Sequence, residues 1–367
     1  MTLLRSLIIV FVTFLATPTI LSAKEEHAAS DTISHKKFNT GDMIFSHIKD
    51  SYEWHITTIG HTHISIPLLV LLYSETTGFH SFSSSNFHHG EEAYQGFHIA
   101  SEGKYQRKIV ETLPDGSEVK PWDLSITKNV TSLFISIFLL LVIFLSVAKR
   151  YKENFARAPK GIQSWIEPIV VFICEDIAIP SIGKEKYQRY LPFLLTIFFF
   201  IFINNMMGLI PFFPGGANVT GDISVTIVLA LFTFAITSYS GTKDYWMHIV
   251  NAPGIPLWLK IPIPLMPIVE IISVFIKPFV LTIRLFANMT AGHIVALGFY
   301  SLIFIFAEKS IFAGYGISVL TIAFTVFMGL LELLVAFIQA YVFTLLSALY
   351  FGLALEKHEH KDEAHHN

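Results

Sequence analysis

LTIRLFANMTAGH, residues 281–293, sets Arg284 in a stretch that is almost wholly apolar on both sides. A guanidinium stays charged at every cellular pH, and holding one in hydrocarbon costs from about 3 to more than about 10 kcal/mol. Intramembrane charges of this kind mostly mark ion paths. With Ile268–Phe306 on one helix at about 100° per residue, Glu270, Lys277 and Arg284 recur every seven residues and drift only about 20° per step, forming one stripe. Asn288, four residues after the arginine, joins that side, whereas His293 points away from it. In the next apolar stretch Glu332 and Gln339 are again seven apart and share a face, so His293 can approach Glu332 from a neighbouring helix. Buried ion pairing or helix-packing hydrogen bonds are the plainer account for a lone Asn or Gln, and snorkelling or mutual pairing suffices for Lys277 and Glu270. Arg284 is different, because the nearest acid on its own helix, Glu270, is four turns away. That spacing points to a partner acid on another polypeptide.

The composition agrees with a chain solvated largely by lipid. Of 367 residues 53% are hydrophobic, 34 are Phe and only 14% are charged, against about 25% in a soluble domain. The formal net charge of −3, with no long basic cluster, speaks against a nucleic-acid partner. The single cysteine, Cys174, excludes an intramolecular disulfide and a cysteine-based metal site. No cofactor and no resident metal are expected.

Residues 1–23 read as a signal peptide: Arg5 precedes the apolar run Leu7–Leu15, and Ser22-Ala23 stands before Lys24-Glu25-Glu26. Leu21 fits poorly at the position three before the cut, so an uncleaved N-terminal anchor is the alternative. Residues 24–125 are polar and rich in histidine and are expected to form a small extracytoplasmic extension, largely β or irregular. Asp115-Gly116 supplies a hairpin turn there, and the apolar run 64–73, interrupted by Pro67, is too short to cross a bilayer. The histidines at 61–63 and 88–89 lack the tight spacing of a metal site and read as surface residues.

From Val130 the chain reads as a membrane domain, 126–355. Val130–Ala148 is one crossing. Lys149, Arg150, Lys152, Arg157, Lys160, Lys184, Lys186 and Arg189 then put the following connection in the cytoplasm and the N-terminal part outside. The segment 161–180 is apolar but carries Glu167, Pro168, Glu175 and Asp176, and is expected to lie at the interface. Leu191–Phe213 and Ile223–Tyr239 are two further crossings. Ile261–Ala307 and Ser310–Leu355 remain, each about 45 residues or roughly 68 Å as a helix, far more than a bilayer's hydrocarbon core of about 30 Å. Each stretch either breaks or joins its neighbour in a steeply tilted hairpin, and the hairpin is preferred although Gly292, Gly298 and Gly329 permit bends. The expected fold is an all-α polytopic membrane protein with about five embedded helices and a small N-terminal extension. Residues 356–367 form a cytoplasmic tail rich in His and acid.

KPFVLTIRLFANMTAGH (277–293), followed by LLELLVAFIQAYVFTLLSALY (330–350), closely resembles the last two helices of the subunit-a family of F-type ATP synthases. NNMMGLIPF (204–212) and DISVTIVLAL (222–231) also fit that family's pattern, over about residues 126–355. The resemblance implies a non-catalytic, proton-translocating subunit of the F0 sector in the cell inner membrane. It implies as partners the c-subunit ring, the b-subunit peripheral stalk and the other ATP synthase subunits. Arg284 matches the family's essential arginine facing the rotating ring, and Asn288 and Gln339 match polar residues of the proton path. His293 stands where many bacterial members have Glu, and Glu332 where they have His, which implies an acid/base pair in the outer half-channel. Asn205, Asp222, Glu270 and Lys277 are candidate supporting polar residues.

The runner-up is an ion-coupled secondary transporter or channel of another family, which usually shows an internal repeat or paired broken helices; this sequence shows no such repeat. A membrane metalloprotease would need His-Glu-x-x-His, which does not occur. The letters of EKHEHKDEAHH (356–366) lack that spacing. No phosphate-binding Gly-Lys-Ser/Thr loop occurs either, so ATP chemistry is expected in partner subunits.

Overall fold

The computed structural model describes residues 40–59, 62–153, 158–210, 213–250 and 265–356. The expected signal peptide, His61 and the tail beyond Glu356 lie outside them. Two compact units are distinguished. The first holds the chain up to Leu145 with Met207–Val219 and Leu297–Thr325; the second holds Ser146–Met206, Thr220–Ala296 and the chain from Val326.

In the first unit, α1 (Thr40–Ile48) precedes eight short strands: β1 (Glu53–Ile59), β2 (Thr62–Pro67), β3 (Leu69–Ser74), β4 (Gly78–Ser83), β5 (Phe97–Ile99), β6 (Ile109–Thr112), β7 (Glu118–Val119) and β8 (Trp122–Asp123). They pair antiparallel in three small sheets, β1-β2, β4-β3-β8 and β5-β6-β7. The apolar run at 64–73 is thus divided between β2 and β3 and crosses nothing. Its alternation decides its burial: Val70, Leu72 and Ser74 point inward while Leu69 and Tyr73 stay exposed. The core gathers Tyr52, Val70, Leu72, Phe82, Phe87, Phe97 and Ile109. Asp115-Gly116 does make the expected turn, with Gly116 at φ +79° and Leu113 N–H donating to Ser117 O at 3.0 Å between β6 and β7. His88 and His89 approach Glu92 and Glu53 at 3.6 and 2.8 Å.

Two polar groups in this unit are satisfied from within. Tyr52 Oη donates to Asp123, and burial together with that carboxylate pushes the phenol's pKa up. Glu111, buried on β6, accepts from Ser74 Oγ at 2.5 Å, Thr76 Oγ1 at 2.6 Å and Thr77 Oγ1 at 3.3 Å. Burial alone would raise its pKa, but these hydroxyls together hold it below the ordinary 4.5.

Helix α2 (Lys128–Glu153) begins where Lys128 N–H donates to Ser51 O and Asn129 N–H to Asp50 Oδ1, both at 2.9 Å. It ends on Arg150 and Lys152, cations that suit a helix C-terminus. Helix α3 (Ile162–Phe172) passes through a π-helical turn, Ile173–Ala178, into the short α4 (Ile179–Ile182). At 11 residues α3 is far too short to span.

There follow α5 (Tyr187–Leu209), α6 (Ile223–Ser240), α7 (Lys243–Val250), α8 (Leu265–Lys309) and α9 (Ile311–Leu355). By length and composition α2, α5, α6 and the Tyr315–Leu355 part of α9 can each cross a membrane. Helices α8 and α9 are unbroken at 45 residues each and meet at Ser310, so the glycines at 292, 298 and 329 do not interrupt them. The chain is therefore a polytopic membrane protein built on helices, with a β-rich N-terminal part. Helix α9 ends in a tight seat: Lys186 Nζ donates to Leu355 O at 3.1 Å and Thr242 N–H to Ala354 O at 3.0 Å. Gly352 there lies so near the Ser181 carbonyl that an added Cβ would stand 1.9 Å from its oxygen.

Candidate functional site

All nine candidate residues fall in the second unit. On α8 the buried face is Leu281, Leu285 and Met289, spaced by four, close enough to the helical repeat to turn these apolar groups inward together. Arg284 and Asn288 lie on the exposed face, one turn apart, among Val280, Ile283, Ala287 and Ala291. Among the described residues no carboxylate stands within ion-pair distance of Arg284. A fixed cation is thus displayed on an apolar surface, where it favours the charged form of any acid brought against it.

Toward the start of α8 the stripe turns into the protein. Lys277 is half-buried with Nζ 5.5 Å from the centre of the Tyr350 ring on α9, a cation–π contact. It lines a small cavity with Thr233, Thr237, Tyr245, Pro278 and Tyr350. Glu270 is half-buried one stripe position earlier and lies near enough to Tyr245 to act on its phenol electrostatically. Burial first, and that carboxylate second, raise the Tyr245 pKa.

Farther along α8, Gly292 admits Glu332 of α9. A Cβ on Gly292 would sit 2.8 Å from Glu332 Oε1 and 3.4 Å from its Cγ. The carboxylate therefore occupies the space that any larger residue would fill, beside the residue next to His293. His293 is half-buried and its Nε2 is a buried atom.

Gln339 lies one stripe position after Glu332 on α9 and is buried. Asn205 ties α5 to the α9 backbone three residues before Gln339: its Nδ2 donates to Ala336 O at 3.2 Å. Thr220 Oγ1 donates to Asn205 Oδ1 at 2.6 Å, so this fully buried amide has both ends occupied. Asp222 caps α6, accepting from Ser224 N–H at 2.9 Å. Thr290 of α8 donates to Gly221 O at 3.3 Å beside that cap.

Several polar residues of this assembly escaped the sequence reading. Tyr350 and Thr220 were passed over, as were Thr226, Thr233 and Thr237, which form a buried stripe along α6. Thr233 and Ser347 of α9 lie within hydrogen-bond reach at 3.2 Å. The spacing of those threonines, seven and then four, was the signal available.

The chain is similar to known proteins along most of its length. The family described as ATP synthase A chain matches residues 130–352, and a domain of unknown function matches residues 43–126. The chain is 44% identical over 254 residues to the ATP synthase subunit a of Chloroherpeton thalassium, covering 68% of this chain and 72% of that one. It is 40% identical over 333 residues to the ATP synthase subunit a of Chlorobium phaeobacteroides, strain DSM 266, covering 84% and 90%. The ATP synthase subunit a of Myxococcus xanthus is 42% identical over 250 residues, 66% of this chain and 77% of that one. With a family match over more than half its length, the chain belongs to the ATP synthase A chain family, the multi-pass proton-channel subunit of the F0 sector.

Proposed function

We propose that Arg284 is the stationary cation against which a ring of c subunits turns, each presenting a membrane-buried carboxylate. The observation that supports this is the exposed Arg284–Asn288 face of α8, apolar around the cation and with no described acid near it. A ring carboxylate is neutral against lipid. Opposite the guanidinium its charged form is favoured, its pKa falls, and the proton leaves. The ring advances and the next carboxylate takes a proton from the other side. Because Arg284 is permanently charged and passes no proton on, it also separates the two aqueous half-channels.

His293 and Glu332 serve the outer half-channel as an acid/base pair, since an imidazole and a carboxylate in contact can hand a proton onward near neutral pH. Asn288 and Gln339 line the path to the ring. Asn205 and Asp222 hold the surrounding helices, while Glu270 and Lys277 stand toward the opposite, cytoplasmic half-channel. The chain resides in the cell inner membrane with residues 24–125 in the periplasm and its C-terminus in the cytoplasm. Residues 161–180 lie along the inner interface, and the b-subunit stalk holds the chain still. The subunit carries no catalytic group of its own.

The decisive experiment replaces Arg284 by Ala and by Lys in the assembled complex. Membrane vesicles of both variants are expected to show no ATP-driven acidification of their interior, at less than about one hundredth of the wild-type rate. Lysine fails because a desolvated ammonium can lose its proton and becomes part of the leak. Robust pumping by Arg284→Lys would overturn the assignment.

A further inference from the structure

The sheet β4-β3-β8 has two unlike faces. Val70, Leu72 and Ser74 on one face of β3 are buried, together with Phe82 of β4. The other face is apolar as well but covered by nothing among the described residues: Leu69 is 43% exposed, Tyr73 49%, Phe79 61% and Trp122 67%. The register sets Tyr73 opposite Phe79 on one side and Trp122 on the other. Three aromatic side chains thus form one row across three strands. Leu124, 66% exposed, extends the patch beyond β8, its N–H donating to Leu71 O at 3.0 Å. Neither β3 nor β4 contains an Asp, Glu, Lys or Arg. One face of an antiparallel sheet usually carries polar residues toward water, and a contiguous apolar face marks a binding surface.

The chain itself indicates what binds. Beyond Leu124, Ile126 N–H still donates to Leu69 O at 2.9 Å, and α2 begins at Lys128. At about 3.3 Å per residue, Leu124 lies within about 13 Å of the first residue of this membrane-crossing helix, and Trp122 within about 20 Å. The headgroup layer on each side of the hydrocarbon is about 5–8 Å deep. Tryptophan and tyrosine are the residues enriched at that depth, where an apolar ring body and a polar tip both find their solvent. A soluble partner must be found by diffusion, whereas the bilayer is always within a strand's length of this face.

We propose that the Leu69–Tyr73–Phe79–Trp122–Leu124 face docks on the bilayer surface from which α2 enters, as a monotopic anchor that steadies the β-rich unit against the membrane. This inference rests on α2 crossing the membrane and is independent of the role of Arg284. The test uses the assembled complex in vesicles of phosphatidylcholine and phosphatidylglycerol. Phe79→Cys in a Cys174→Ser background carries a polarity-sensitive fluorophore, Leu124→Cys provides an independent reading at the other end of the patch, and Glu102→Cys is the exposed control. Lipids bearing a quencher near the headgroup are expected to reduce emission at 79 and 124 at least about twofold more than at 102, because a docked face is buried to about 5–10 Å. Aqueous iodide should show the reverse order. Equal access of iodide to all three sites would overturn the proposal. So would labels at 79 and 124 that are shielded from iodide and untouched by the lipid quencher, since a protein partner or a second copy then covers the face.

Discussion

Glu332 and Gly292 make a contact that is read most sharply by adding a single methyl group. In Gly292→Ala the new carbon would stand 2.8 Å from Glu332 Oε1, so the carboxylate must swing aside. The atom that yields is the far end of a flexible side chain, so stability should change by less than about 1 kcal/mol. Proton pumping in vesicles should nonetheless fall severalfold. Unchanged pumping would mean that the carboxylate's position is not used. The pairing with His293 has its own test. His293→Glu sets two carboxylates together and raises one pKa, while Glu332→His sets two imidazoles together and lowers one, so each variant should pump poorly. The double exchange restores one acid and one imidazole and is expected to recover much of the rate, because touching groups are not additive. A double variant that merely combines the two defects would separate the residues. Arg284 was legible because a guanidinium contradicts its surroundings. Asn205 was not legible as a clamp, since its partners are Thr220, 15 residues away, and Ala336, 131 away. Only the packing brings them together.

At the scale of elements, Glu111 shows how a short strand holds its sheet. A hydrogen bond to a charged group contributes about 1.5–3 kcal/mol, and Ser74, Thr76 and Thr77 join β6 to the end of β3 and the turn after it through this one carboxylate. Because the folded pKa lies below the ordinary 4.5, the contribution is complete above that value and is lost as the pH falls through the folded pKa. Glu111→Gln should therefore speed amide hydrogen exchange in β3 and β6 by more than about tenfold at pH 7. The gap between variant and wild type should narrow below pH 4.5. A gap that stays constant down to pH 3 would place the effect in shape rather than charge. The same unit marks the limit of reading elements from sequence. The turn at Asp115-Gly116 is local and was legible, and β3 was visible as an apolar run. The placement of β8 beside β3, some 50 residues earlier, follows from long-range pairing that no local pattern carries. For the long helices the reverse holds: the bulk of α8 and α9 was legible from long, mostly apolar stretches, with the observed ends within a few residues of the expected Ile261–Ala307 and Ser310–Leu355.

For the molecule as a whole, sidedness reduces to a parity argument. Helices α2, α5, α6 and α9 are each able to cross; if α8 crosses as well, five passages are expected to leave positions 102 and 356 on opposite sides of the membrane. The connection after α2 carries Lys149, Arg150, Lys152, Arg157 and Lys160, and Lys184, Lys186 and Arg189 follow before α5 is fully under way. Such a concentration of positive charge stays in the cytoplasm. The β-rich part is then expected outside, and the end of α9 in the cytoplasm. In a Cys174→Ser background, Glu102→Cys and Glu356→Cys are both at exposed positions and test the two ends separately. Intact cells with a permeable outer envelope should allow a membrane-impermeant maleimide to label position 102 and not 356; inverted vesicles should give the opposite. Labelling of both positions from one side would require an even number of passages, so that at least one of the five helices could not cross. Where that helix is α8, Arg284 would lose the membrane depth on which its encounter with a ring carboxylate depends.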